Sequence, residues 1–383
     1  MVKEAGGGPF GLCAACPDWN ERGMVVAADE RFMARAIELA RAVPRPSPNP
    51  RVGAVVVRHG AIIAEAAHEG LGRPHAEHAA LYGVDATGCT LYVTLEPCSH
   101  QGRTPPCAPA VVEAGISRVV AAMEDPDVRV QGRGFARLRA SGVEVSVGVL
   151  ASEAAALNSA WVYQRRTGRA RVTLKLALSL DGRLAAADGS ARWITGESAR
   201  AHVHTRRAEA DGIVVGAGTV ASDDPRLTAR VSTDMRQPAR VIVDSSGRTS
   251  GLARVFAAGA QVIVATTERC SHETQMAWKE VGAEVVVLPA GPLGVDLTAL
   301  VGELGRREWL EIYCEGGPRL ASSLLREGLV DRLELYYGPV LLGSGPGVAA
   351  LGVDSMGQAS RFQLVESHRF EDDMLMILER GDR

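Results

Sequence analysis

The sequence has no apolar run that approaches the roughly 18 residues a membrane-spanning helix requires. Its N-terminus also lacks the charged segment, apolar segment and small-residue cleavage site of a secretory signal. The seven cysteines are an odd number scattered through a long chain, which does not indicate a disulfide framework. These absences predict a cytoplasmic protein that does not bind membranes.

The chain has little excess charge of either sign, because 45 acidic residues against 42 basic ones give a net charge of −3. This balance argues against a protein that coats nucleic acid, and we expect no nucleic-acid partner. Hydrophobic content of 46% and charged content of 23% are typical of globular proteins. A chain of 383 residues, without internal repeats or low-complexity tracts, exceeds one ordinary core and predicts two domains.

The apolar pattern divides the chain into four parts. Residues 1–28 show no apolar periodicity, and we interpret them as a flexible extension. Residues 29–150 and 171–383 are two predicted α/β domains. Between them, the pattern of residues 151–170 predicts a linking helix.

The first predicted domain alternates helices and strands. A helix is expected over residues 31–42, and a hairpin of buried strands over residues 54–64. Pro74 suits the first position of the next helix, which would place His75 and Glu77 in its first turn. The alternation predicts one three-layer domain.

Two cysteines and a histidine in this domain have the chemistry of a zinc site. His75, Cys98 and Cys107 supply one imidazole and two thiolates, a ligand set that leaves a fourth position open for water. Glu77 lies two residues from His75, close enough to reach that water without being a ligand. This arrangement is that of zinc-dependent nucleobase deaminases, in which the metal activates water and a glutamate moves protons.

A structural zinc site is the alternative interpretation, because such sites recruit four protein ligands. His78 and His100 are the nearest candidates for a fourth ligand. Cys13 and Cys16 also form a Cys-x-x-Cys, but no second pair with matching spacing follows them.

The spacing of the two metal-site cysteines is unusual, because eight residues separate them instead of two. This region resembles the deaminase half of the RibD family of bifunctional riboflavin-biosynthesis proteins. The motifs that carry the resemblance are Pro48-Asn-Pro50, Val52-Gly53, His75-Ala-Glu77, Thr94-Leu-Glu-Pro-Cys98 and Gly102-Arg-Thr-Pro-Pro-Cys107.

The resemblance implies a cytidine-deaminase-like fold, with zinc on the histidine and two cysteines named above and Glu77 as the proton carrier. The residues that it implies at the substrate are Asn49, His100, Arg103 and Asp125. Of these, the histidine and the arginine would hold the ribose phosphate. The family's Asp-Pro-Asn is here Asp125-Pro-Asp127, a departure at its last position.

The second half of the chain predicts a mostly parallel sheet. Strand-like runs separated by helical segments recur between residues 171 and 313, and later runs at 333–337 and 374–378 predict antiparallel strands. This half lacks the Gly-x-Gly-x-x-Gly fingerprint of dinucleotide-binding folds. Two glycine-containing loops, at residues 216–225 and 315–322, follow strands and could bind a phosphate or be ordinary surface loops.

This half resembles the reductase domain of the same family, which implies a dihydrofolate-reductase-like fold and NADPH as cofactor. The matching motifs are Lys175-Leu-Ala-Leu-Ser-Leu-Asp-Gly-Arg183, Trp193-Ile-Thr195, Gly218-Thr-Val-Ala-Ser-Asp-Asp-Pro225, Leu227-Thr228, Gln237-Pro238, Asp244-Ser245, Glu315-Gly-Gly-Pro318 and Pro339-Val-Leu-Leu-Gly343. One motif departs, since the family's Gly-Glu-Ser before the tryptophan is here Gly189-Ser-Ala191.

The resemblance also implies which residues bind in this domain. Those near the cofactor are Ala177, Trp193, Thr219, Asp223, Ser245 and, around its phosphates, Gly317, Pro318, Arg319, Leu320, Ala321, Ser322 and Ser323. Those at the sugar-phosphate substrate are Arg207, Leu227, Arg230 and Glu315. Two arginines suit a dianionic phosphate, because each offers a planar fork of donors.

Both resemblances together predict a bifunctional enzyme of riboflavin biosynthesis. It would deaminate a phosphorylated diaminopyrimidine with zinc and then reduce the ribosyl group with NADPH. The alternatives are a nucleoside or tRNA deaminase with an unrelated C-terminal domain, and a nucleotide-binding or regulatory protein built on the same two domains. The expected partner is a small phosphorylated pyrimidine, and the sequence leaves a homo-oligomer open.

Overall fold

A computed structural model describes residues 17–44, 47–102, 104–128, 130–231, 236–257, 259–292, 294–348 and 351–381. The chain forms two compact units. Of the described residues, the first unit contains those up to Val43, Val52–His68 and Gly72–Leu157, and the second contains those in 44–51, Glu69–Leu71 and those from Asn158 onward. No helix in the described part of the chain is long and apolar enough to cross a membrane.

The first unit is built on a five-stranded sheet. Its strands are β1 Gly53–Arg58, β2 Ala61–Ala67, β3 Thr90–Val93, β4 Arg118–Ala121 and β5 Glu144–Val147. Its helices are α1 Pro17–Ala42, α2 Ala76–Leu81, α3 Cys107–Glu113, α4 Arg133–Ala140 and α5 Ala151–Leu157. The strand order is β2-β1-β3-β4-β5, with the first three strands antiparallel and the last three parallel.

Helices cover both faces of this sheet, which confirms the predicted three-layer fold. Alternate residues of β1 point to opposite faces, and Val55 and Val57 pack with α1 and α5 in one apolar core. Helix α1 lies very close to β1 at Gly53, where a Cβ atom would be 1.9 Å from the carbonyl oxygen of Ala36. Glycine is therefore required at that position. Helices α2, α3 and α4 lie on the other face.

Three local predictions in this region were wrong. Helix α1 begins at Pro17, inside the segment expected to lack regular structure. Helix α2 begins at Ala76, so His75 is its N-cap rather than part of its first turn. The predicted linking helix is two helices interrupted at Asn158, whose side chain both accepts from and donates to the backbone of Arg51 at 2.8 Å.

The second unit is built on a nine-stranded sheet. Its strands are β6 Arg171–Leu178, β7 Gly212–Gly216, β8 Ala239–Val243, β9 Val262–Thr266, β10 Glu284–Val287, β13 Glu311–Cys314, β14 Arg332–Tyr337, β15 Phe362–Phe370 and β16 Asp373–Arg380. A separate small hairpin pairs β11 Ala290–Gly291 with β12 Gly294–Val295. The helices of the second unit are α6 Ser159–Thr167, α7 Glu197–Glu209, α8 Ala217–Asp223, α9 His272–Glu280, α10 Leu297–Arg306 and α11 Pro318–Arg326.

The strand order is β10-β9-β8-β7-β13-β6-β14-β16-β15, parallel as far as β14 and antiparallel beyond it. The predicted mostly parallel sheet with late antiparallel strands is confirmed. Helices α10 and α11 pack on one face, and α7 and α9 pack on the other. Strand β15 was not predicted, because most of its residues are exposed and its sequence lacks the apolar runs of the inner strands.

Candidate active sites

The predicted metal ligands come together in the first unit. His75 is the N-cap of α2, Cys98 follows β3 by five residues, and Cys107 is the first residue of α3. The Nδ1 atom of His75 lies 3.3 Å from the Sγ of Cys107 and 3.6 Å from the Sγ of Cys98. All three ligand atoms lie within 4.8 Å of one another.

These distances fit a tetrahedral zinc ion. With Zn–S near 2.3 Å and Zn–N near 2.05 Å, an S–N edge of the tetrahedron is about 3.6 Å. In the described part of the chain, this is the one group of three such side chains that could hold a metal. His78 contacts the carbonyl of Pro105 at 3.2 Å, and His100 is exposed, so neither belongs to the group. The donor set therefore fits an open three-ligand site rather than a closed structural one.

The carboxyl group of Glu77 is buried beside this cluster, with a relative exposure of 4%. Burial, reinforced by the neighbouring Cys98 thiolate, raises the pKa of Glu77 to about 7. The hydrogen bond from the Cys107 thiol, opposed by burial and reinforced by His75, lowers the pKa of Cys98 to about 4. The cluster thus combines a thiolate with a carboxyl group that can gain and lose a proton near neutral pH.

A buried carboxylate organises the loop that faces Cys98. Glu96 accepts hydrogen bonds from the backbone amides of Asp125, Gly132, Gly134 and Phe135, at 2.8 to 3.3 Å. At Gly134, a Cβ atom would be 1.9 Å from the carbonyl oxygen of Pro97, so the approach of α4 depends on glycine. Sequence reasoning assigned no role to Glu96, although it belongs to the motif that delivers Cys98.

The predicted substrate residues of this unit stay predictions. Asp125 is buried, and its carboxylate accepts from the backbone amide of residue 127 at 2.8 Å. This contact uses the backbone of Asp127, so the asparagine-to-aspartate departure leaves the turn intact. Asn49 is half-buried in the segment that groups with the second unit. Arg103, like Cys13 and Cys16, lies outside the described residues.

A cavity of about 410 Å³ opens in the second unit, where the parallel strands β8, β7 and β13 end. Ligands of open α/β sheets bind at this edge. Of the twelve residues predicted near the cofactor, eight line the cavity: Thr219, Ser245, Gly317, Pro318, Arg319, Leu320, Ser322 and Ser323. The other four, Ala177, Trp193, Asp223 and Ala321, are not among its lining residues. Ala321 is buried in the core, whereas Trp193 is 67% exposed under the guanidinium of Arg200.

The polar groups of the turn around Gly317 and of the following helix make hydrogen bonds within the protein. The amide of Gly317 donates to the hydroxyl of Thr219 at 3.1 Å. The hydroxyls of Ser322 and Ser323 donate to the carbonyls four residues earlier, at 2.7 and 3.0 Å. Arg248, Arg319 and Arg326 also line the cavity, so its wall carries three cationic side chains that could interact with an anion.

Arg248 was missed by sequence reasoning, although it lies three residues after Ser245. The carboxylate of Asp244, at the end of β8, turns into its own loop and accepts from Ser246, Gly247 and Thr249. The Asp244 carboxylate is buried, and its oxygens already accept hydrogen bonds within the loop. The charged side chain of this loop that lines the cavity is therefore the exposed Arg248.

The predicted substrate residues of the second unit include a buried ion pair. Arg207, on α7, donates to both carboxylate oxygens of Glu315 at 2.5 and 2.8 Å and to the carbonyl of Thr228 at 3.2 Å. Leu227 is buried with a positive φ of 51°, and Arg230 is exposed. Ser190 donates to Asp188 at 2.7 Å, on the exposed loop that contains the Ala191 departure.

Lys175 is a further residue to which sequence reasoning assigned no role. It shares a face of β6 with Ala177, and the alternate residues Val172, Leu174 and Leu176 pack into the core on the other face. Burial lowers the pKa of Lys175, although the nearby Glu315 opposes this. The chain contains three lysines among its 42 basic residues, and Lys175 is the one that lies in a motif of the reductase resemblance.

The open zinc-type ligand set beside a buried glutamate is that of a metal-dependent deaminase. The cavity on the second sheet, lined by glycines and arginines, is that of a nucleotide-dependent reductase. The family model described as "Cytidine and deoxycytidylate deaminase zinc-binding region" matches residues 26–123. The model described as "RibD C-terminal domain" matches residues 170–376. The chain belongs to the RibD family of bifunctional riboflavin-biosynthesis deaminase-reductases.

Individual relatives match along nearly the whole chain. The riboflavin biosynthesis protein RibD of Escherichia coli (strain K12) is 41% identical, over 91% of this chain and 99% of the relative. That of Aquifex aeolicus (strain VF5) is 38% identical, over 93% and 100%. Among solved structures, Acinetobacter baumannii RibD (form 1) has a TM-score of 0.85 at 36% identity, covering 93% of this chain and all of that one. The Thermotoga maritima deaminase/reductase has a TM-score of 0.82 at 35% identity, with the same coverage.

Proposed function

We propose that the chain performs two successive steps of riboflavin biosynthesis, each at its own site. The first is hydrolytic deamination of 2,5-diamino-6-ribosylamino-4(3H)-pyrimidinone 5′-phosphate. The second is NADPH-dependent reduction of the ribosyl group, which gives 5-amino-6-ribitylaminouracil 5′-phosphate. The observation that carries this proposal is the assembled cluster of His75, Cys98, Cys107 and Glu77 within a chain that also has the reductase cavity.

In the first reaction, His75, Cys98 and Cys107 would hold the zinc ion, which when bound lowers the pKa of water. Glu77 takes a proton from the attacking water and delivers it to the leaving amino group, so that ammonia departs as the ring C–N bond breaks. Burial of Glu77 suits this task, because it brings the pKa of the carboxyl close to neutral pH. Asn49, His100, Arg103 and Asp125 are proposed to hold the substrate.

In the second reaction, the glycine- and arginine-lined cavity would bind NADPH, which when bound supplies the hydride. The ribosyl carbon accepts the hydride, its bond to the ring oxygen breaks, and that oxygen needs a proton. We assign this proton to Lys175, which lies near the Arg207–Glu315 pair. Arg207 would orient Glu315 toward the sugar, and Arg230 would contact the phosphate beside Leu227.

The alternative of a deaminase with an unrelated C-terminal domain is not supported, because residues 170–376 match the RibD C-terminal domain. We propose that the enzyme is cytoplasmic and that its partner is a small phosphorylated pyrimidine rather than nucleic acid. Whether it forms a homo-oligomer can be measured by sedimentation.

The test of this function combines metal analysis with a coupled assay. Purified protein should contain one zinc per chain, and the diaminopyrimidine substrate should yield one ammonia for each NADPH oxidised. Purified protein that contains no zinc would contradict the proposed metal site of the first unit. Ammonia release without NADPH oxidation would contradict the proposed reductase reaction.

A further inference from the structure

The imidazole of His75 has two nitrogens, and each faces a different partner. Nδ1 faces the two sulfur atoms, at 3.3 and 3.6 Å. Nε2 lies 3.0 Å from the hydroxyl oxygen of Thr104. Since a metal ligand needs a free lone pair, Nδ1 is unprotonated in the loaded site, and Nε2 carries the proton that it donates to Thr104.

The backbone that carries the Thr104 side chain is fixed by hydrogen bonds of its own loop and of α2. The carbonyl of Thr104 accepts from the amide of Gly102 at 3.3 Å and from the side chain of Gln101 at 3.5 Å. The carbonyl of Pro105 meets His78 Nε2, on α2, at 3.2 Å. Two prolines follow Thr104, and their fixed φ angles restrict the loop further.

We infer that Thr104 is the positioning residue of this metal centre: its hydroxyl fixes the tautomer and the ring orientation of His75. The inference rests on the proposed zinc function. It also gives the eight-residue spacer a purpose, because Thr104 lies six residues after Cys98 and three before Cys107. In a Cys-x-x-Cys motif the position three residues before the second cysteine is the first cysteine itself, so a threonine could not occupy the place that Thr104 has here.

The test replaces Thr104 by valine, which keeps the shape but removes the hydroxyl, and by serine, which keeps the hydroxyl. Zinc dissociation constants are measured by competition with a chromophoric chelator. Loss of an outer hydrogen bond to a metal ligand costs roughly 10- to 100-fold in affinity. We therefore expect Thr104→Val to bind zinc about 10- to 100-fold more weakly than wild type, and Thr104→Ser to stay within about threefold of wild type.

Zinc-saturated variants provide the second measurement. Thr104→Val should lower kcat for deamination more than it changes KM, because the ring orientation affects the metal and not the substrate contacts. Thr104→Ser should restore kcat. Circular dichroism and urea unfolding of the same preparations report on the folding of the first unit, and reduction of supplied deaminated intermediate should be unchanged. Should the valine variant fail to fold, Thr104→Ala takes its place with the same expected loss.

The outcomes separate this inference from the function on which it rests. Wild-type protein that binds no zinc contradicts the proposed deaminase site itself. Tight zinc binding by wild type and an equal affinity in Thr104→Val would overturn the role of Thr104 alone. Weakened binding in both the valine and serine variants would also overturn it, because packing rather than the hydroxyl would then be responsible.

Discussion

Lys175 illustrates how surroundings assign chemistry to a single residue. The charged groups that act on its buried amine are Glu315, Arg207 and Glu334, and the amine lies 5.7 Å from the ring centroid of Tyr336. An arginine would carry the same positive charge, but it could not release a proton at any physiological pH. A lysine at this buried position, in a chain whose basic residues are almost all arginine, is therefore suited to proton transfer.

Lys175→Arg should lower kcat for reduction by about 10²- to 10⁴-fold, the range typical of a lost general acid, while NADPH binding is retained. In wild type, the rate should fall as pH rises through the pKa of Lys175, because the ammonium form is the donor. Burial lowers that pKa, so the fall should begin below the ordinary range of lysine. A pH–rate profile and cofactor titration are the measurements. Full activity in Lys175→Arg would exclude this role.

Arg248 is the residue that we expect to read the 2′-phosphate of NADPH. A charge-assisted hydrogen bond to phosphate contributes about 1.5–3 kcal/mol, so Arg248→Ala should weaken NADPH binding roughly 10- to 100-fold. NADH lacks that phosphate and is the matched control, and its affinity should stay the same. Equal losses with both cofactors would place Arg248 at a part of the cofactor that they share.

Sequence predicted those site residues whose spacing is itself a signal, such as His75, Glu77 and the two cysteines. Thr104, Lys175 and Arg248 were not predicted as functional residues, because the fold and not the sequence spacing places them beside the residues with which we propose they act. The pairing of Arg207 with Glu315 could not be predicted either, because α7 and the end of β13 are more than a hundred residues apart.

At the scale of elements, the loop from β4 to α4 depends on one carboxylate. The two carboxylate oxygens of Glu96 accept hydrogen bonds from four backbone amides. A side chain with fewer acceptor oxygens would leave some of these buried N–H donors unpaired. The strand end that carries Cys98 and the loop that carries Asp125 are thereby joined.

Glu96→Gln should destabilise the first unit by about 2–4 kcal/mol, since one carboxylate oxygen becomes an amide donor facing buried amides. Hydrogen exchange at the amides of Gly132 and Gly134 should accelerate, and urea unfolding should shift to lower concentration. Glu113→Gln, at an exposed position on α3, is the control and should change stability by less than about 0.5 kcal/mol. Unchanged exchange at both glycines would refute the anchoring role.

Elements were predictable where apolar residues recur, as in the inner strands β7, β8 and β9. Strand β15 escaped prediction because its stability comes from pairing with β16 at the sheet edge rather than from burial. The break at Asn158 escaped because it depends on a long-range pair of hydrogen bonds with Arg51.

At the scale of the whole molecule, the two proposed reactions belong to two compact units. The metal ligands and Glu77 belong to the first unit, and the cavity residues, Lys175 and the Arg207–Glu315 pair belong to the second. The division of labour was predictable from sequence, because each half has its own set of motifs.

The most direct test of this division is Glu77→Gln, which is nearly isosteric but cannot carry a proton. The variant should keep one zinc per chain and lose about 10²- to 10⁴-fold in ammonia release from the diaminopyrimidine substrate. Given the deaminated intermediate instead, it should oxidise NADPH at the wild-type rate. A parallel loss of both activities, in a variant that retains zinc and its fold, would contradict the assignment of the two reactions to separate sites.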